Sequence, residues 1–86
     1  MMTEKIKHLL ETNEWERKDT QDEVTKCLER IKEYAEKALT AEDNGSRADN
    51  VDWMNNYMKH LREAQDKLNN LAKEKTKLEW LLKEDA

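Results

Sequence analysis

One glycine and no proline in 86 residues leave this chain almost no means of turning. Strands need turn residues at intervals, so a β-rich fold is excluded and long helices remain. The only breakpoint is Glu42-Asp43-Asn44-Gly45-Ser46. Glycine accepts the left-handed conformation just past a helix end, so Gly45 is expected to close the first helix. Ser46 offers an oxygen for the exposed N–H groups of the next helix, and Asp49 competes for that role. The reading is a helix over about 3–41, a turn at 42–47 and a helix over about 48–84, all in one domain spanning 1–86. So short a connection makes the two helices antiparallel.

Apolar spacing supports the hairpin. In the second helix Met54, Tyr57, Leu61, Ala64, Leu68, Leu71, Lys75, Leu78 and Leu82 alternate steps of three and four. This is the seam of a heptad repeat, positions a and d. Lys75 is its one charged member, and a polar residue there fixes register at some cost in stability. The first helix carries a matching seam from Ile6 and Leu10 through Val24, Cys27, Ile31, Tyr34, Ala38 and Ala41. Its middle members, Asn13, Arg17 and Thr20, are polar, and two readings stand for that stretch. The helix either runs through with a polar layer or breaks between 13 and 20. With neither Gly nor Pro to enforce a break, continuity is favoured. Arg17 is expected either to pair with Glu74 on the facing arm or to reach solvent with its stem buried.

Two helices bury little, and small scaffolds need extra support. The stripe of Val24, Cys27, Leu28, Ile31, Tyr34, Ala35 and Ala38 is wider than one partner helix requires. The expectation is an all-α, coiled-coil-like hairpin that dimerises into a four-helix bundle, with a C2 homodimer the simplest closed form. The pattern is similar in outline to two-helix hairpins of the ROP kind. Those bind RNA on a helical face, which would be the role that the resemblance implies. Here Lys and Arg number 16 against 20 Asp and Glu, a net charge of -4, with no basic half. That balance disfavours nucleic acid, which needs a positive patch to displace counterions. The local trio Lys73, Lys75 and Lys77 keeps that role as a further alternative.

Composition narrows the setting. Charged residues make up 42% of the chain. No apolar run is long enough to span a bilayer, and no secretory signal is expected from the opening residues. A single cysteine cannot form an internal disulfide. A cytoplasmic protein is expected. Cys27, His8 and His60 lack the paired close spacing of a zinc site, so no metal and no cofactor are expected. No nucleophile–base pair or glycine-rich phosphate loop is present, and so thin a fold has little room for a lined pocket, so no enzyme is expected.

The tryptophans carry the functional expectation. Trp15 and Trp80 fall at position f, which faces away from the seam, and Trp53 at flanking position g. Tryptophan is enriched at binding hot spots. Trp15 and Trp80 are candidates for partner binding, with core packing as the alternative. The acidic cluster Glu14, Glu16, Asp19, Asp22 and Glu23, interrupted by Arg17 and Lys18, joins them. The expected function is a non-enzymatic protein-binding adaptor or inhibitor, of a kind that a phage or mobile element would direct at a host nucleic-acid-processing complex. The alternative is a structural hairpin that assembles only with itself.

Overall fold

The computed structural model describes residues 2–85. Two helices account for nearly all of them: α1, Met2–Thr40, and α2, Asn44–Asp85. They pack side by side as an antiparallel hairpin, a rod of 64 × 14 × 12 Å. Among the described residues there is no strand, and no helix is long and apolar enough to cross a membrane. Straight-chain helix formers dominate both arms, and nothing interrupts them. Glu4 in the first turn of α1, and Lys37 and Lys83 in the last turns, complement the helix dipoles.

The heptad seam is the core. From Ile6 in α1 to Ala41 just past its end, every seam position is buried or half-buried, as is every one in α2 from Met54 to Leu82. The apolar core proper is thin: Ile6, Val24, Cys27, Ala38, Ala64, Leu71 and Leu78. The deepest side chains are polar, Asn13 and Thr20, each 1% exposed. The break considered between 13 and 20 is therefore absent. α1 runs through, and its polar residues are enclosed rather than turned to solvent.

Two of the three polar side chains there are satisfied, Asn13 by partners across the seam and Arg17 by Asn13 itself. Asn13 Nδ2 donates to the Leu71 carbonyl at 2.9 Å and to Glu74 Oε1 at 3.3 Å. Arg17 Nε donates to Asn13 Oδ1 at 2.8 Å. Arg17 thus reaches Glu74 only through Asn13, in place of a direct ion pair. The Thr20 hydroxyl is different: it is buried and has no hydrogen-bond partner.

The turn differs from expectation in a physically clear way. No glycine takes a positive φ, so Gly45 is not a left-handed stop. It lies in the first turn of α2, which begins three residues or more before the expected start. Asp43, not Ser46, is the N-cap. Its Oδ1 accepts the Ser46 N–H at 2.7 Å, and its Oδ2 accepts the Ser46 hydroxyl at 3.0 Å. These bonds, led by the Ser46 N–H, hold the Asp43 carboxyl below its usual range. A Cβ on Gly45 would stand 3.2 Å from Asp43 Oδ1, so glycine leaves the cap room. Arg47 closes the other side, donating Nη2 to the Ala41 carbonyl at 3.2 Å.

Only Ala41, Glu42 and Asp43 separate the helices. The shorter turn draws the facing register back at the open end of the hairpin. Asn13 meets Leu71 and Glu74, where a turn centred on Gly45 would set it against residue 77.

Candidate functional site

A hairpin built on a and d positions has three kinds of surface. Positions b and e line one side of the seam, c and g the other, and f faces outward from each helix. In an antiparallel pair the e positions of both helices share one side. The structure shows this: Val24 and Leu28 of α1 form one groove with Met58, Leu61, Arg62 and Gln65 of α2. Ala35 and Leu39 continue it toward the turn beside Val51 and Met54.

Both tryptophans assigned to partner binding stand in solvent. Trp15 is 68% exposed and Trp80 is 60% exposed, neither being part of the core. They do not form one patch. Position f of α1 and position f of α2 point to opposite edges of the rod. Trp15 shares its outer stripe with Asp19 and Asp22, four and seven residues on. Trp80 shares its stripe with Lys73, Lys77 and Glu84, so its surroundings are mixed in charge where those of Trp15 are acidic.

The acidic cluster divides in the same way. Glu16 and Glu23, both at g, flank the Trp15 stripe from one side of the seam. Glu14 falls at e on the other side, where Lys18 pairs with it at 3.7 Å. Asp19, Asp22 and Glu23 are exposed, and Glu16 is half-buried. The basic trio separates too. Lys75 turns to the seam and pairs with Glu79 at 3.7 Å, leaving Lys73 and Lys77 alone on the outside.

The third tryptophan belongs to a feature that spacing alone did not reveal. Trp53 stacks on Tyr34 with centroids 6.0 Å apart, and Tyr34 stacks on Tyr57 at 5.8 Å. Lys37 Nζ lies 5.0 Å from the centre of the Tyr34 ring. Tyr34 and Tyr57 sit at d, and Trp53 beside them at g, so the heptad register held the signal. Arg30, Glu33 and Lys37 make an exposed ion network along the same side, with contacts of 2.9 and 3.2 Å. Its two cations hold the Glu33 carboxyl below the usual range, Arg30 most strongly.

Cys27 and His60 share a shallow groove with Glu23 and Tyr57, as their heights on the two arms suggested. Among the described residues no group of three or more His, Cys, Asp or Glu is placed to hold a metal ion. Burial, with the Glu23 charge nearby, pushes the Cys27 thiol up, which keeps it protonated and slow to react. His8 is exposed on α1, its backbone carbonyl accepting the Thr12 hydroxyl.

No protein-family model, curated protein or solved structure matches the chain. The functional reading therefore rests on these surfaces.

Proposed function

We propose that this protein is a non-enzymatic adaptor or inhibitor that binds another protein through the outer face of α1. The observation that carries the reading is Trp15. A large aromatic side chain stands 68% exposed on a rigid helix, clear of the hairpin seam. Trp is the residue type most enriched at hot spots, and a helix holds it at little entropic cost. Asp19 and Asp22 on the same stripe, with Glu16 and Glu23 beside it, set the partner's chemistry. The partner has an apolar pocket bordered by Lys and Arg. A groove that normally holds nucleic acid has this character, and occupying it would block the partner's own ligand. Such attraction steers encounter and weakens with salt.

The test is capture of partners from lysate by immobilised wild-type protein, Trp15→Ala and an Asp19→Asn/Asp22→Asn double variant. Binding of a recovered partner is then measured against salt. Trp15→Ala should weaken it by about 2 kcal/mol or more, the hot-spot threshold. The double variant should flatten the salt dependence. A partner held equally by all three proteins refutes the reading.

A further inference from the structure

In a chain that is 42% charged, one face is nearly without charge over the half of the rod nearest the turn. Over residues 21–39 and 48–72, positions b and e comprise fourteen residues, of which only Lys32 and Arg62 are charged. Positions c and g over the same spans comprise twelve, of which eight are charged. This charge-poor stretch also carries exposed apolar side chains: Leu39 at 84%, Leu28 at 51% and Met58 at 49%. Depletion of charge at the centre of a patch is the compositional mark of an interface.

We infer that this b/e face seats a second copy of the chain, with both turns at the same end of a four-helix bundle. Area argues for an occupant of this size. A compact monomer of 10.3 kDa exposes about 5,400 Å² by the scaling of folded proteins. The hairpin exposes 6909 Å², an excess of roughly 1,500 Å² against the ~800 Å² per partner of a standard interface. A second hairpin laid along the rod covers such an area and gives the thin core its missing layer.

Charge placement sets the orientation. With the turns together, α1 of one copy lies against α2 of the other at matching heights. Lys32 then comes level with Asn55 and Arg62 with Thr25, so no like charges meet. Leu28 and Met58 of the two copies share the centre. With the copies reversed along the rod, Leu39 would instead land beside Glu4 and Lys83 at the open end. This surface is separate from the outer stripe of Trp15, so the inference stands whichever foreign partner is found.

Two measurements test it. A spin label on Glu42→Cys in a Cys27→Ala background reports the distance between turns by double electron–electron resonance. Turns at the same end give a separation below about 35 Å, because packed helices lie about 10 Å apart. Full reversal places them near the 64 Å length of the rod. A separation beyond about 35 Å, or no intermolecular distance at all, overturns the inference. In the second, light scattering follows dissociation of Met58→Glu, with Asn56→Glu on the opposite side as control. Met58→Glu should weaken the dimer more than tenfold while Asn56→Glu leaves it unchanged. Equal effects, or none, overturn the choice of face. Should Met58→Glu fail to fold, the label distance still decides.

Discussion

Replacing Thr20 by Val should stabilise this protein, which is unusual for a change at a buried position. Thr20 is 1% exposed and its hydroxyl has no hydrogen-bond partner. An unsatisfied buried hydroxyl costs about 1–3 kcal/mol. Valine has nearly the same shape and the same β-branching, so helix propensity and packing volume barely change. The new methyl adds about 0.8 kcal/mol of burial. The expected gain is about 1–3 kcal/mol, a rise in melting temperature of about 4–8 °C for each kcal/mol in a domain of this size. Urea titration followed by far-UV circular dichroism, at one fixed protein concentration, measures it. The midpoint should rise with the slope unchanged, because the surface exposed on unfolding is the same. Thr20→Ser keeps the hydroxyl and loses the methyl, so it should be less stable than wild type. Unchanged or lowered stability in Thr20→Val would mean that the hydroxyl is satisfied, and the account of this layer would fail.

Other outcomes follow from the same geometry. Leu71 is 6% exposed, and Leu71→Ala should cost about 2–5 kcal/mol in denaturant melts, while half-buried Leu68 should cost less. The Asp43 carboxyl is held below the usual carboxylate range, so its contribution to stability is full above about pH 4 and is lost as pH falls through the lower folded value. The stability difference between wild type and Asp43→Asn should therefore shrink in melts below about pH 4; a difference that is constant with pH contradicts the cap. Cys27 is 5% exposed with its thiol pushed up, so a thiol reagent should label the native protein slowly and the urea-unfolded protein fast. Equal rates would place the thiol outside the seam.

Much of the fold was legible because a heptad seam is a spacing, not a composition. Asn13, Arg17 and Thr20 fall on the alternation of threes and fours, and the structure encloses them although they are polar. The turn was misread because two signals compete in one short stretch. Gly45 has the residue type of a helix stop, but Asp43 and Ser46 have the spacing of a helix start, and the cap's hydrogen bonds prevail. The cross-seam partners of Asn13 depend on that turn, so an error of a few residues there misplaces Arg17 and Glu74 at the far end. The acidic cluster was legible as a run along the chain, yet successive residues are about 100° apart around a helix, so it divides between two sides. The b/e face was visible only as an apolar stripe too wide for one neighbour. Its scarcity of charge in the half nearest the turn emerges once α1 and α2 are laid side by side.

The central claim is that the b/e face meets a second copy while the outer stripe stays open to a foreign protein. Fluorescence of a variant keeping Trp15 alone, with Trp53 and Trp80 replaced by Phe, tests it most directly. The emission is recorded with iodide across a dilution series that spans dissociation. Red-shifted emission, quenched equally in the assembled and dissociated protein, is the result expected of an indole that is 68% exposed and points away from the interface. Emission that is blue-shifted and protected at high concentration, and becomes quenchable only on dilution, would place Trp15 inside the self-interface and contradict the account.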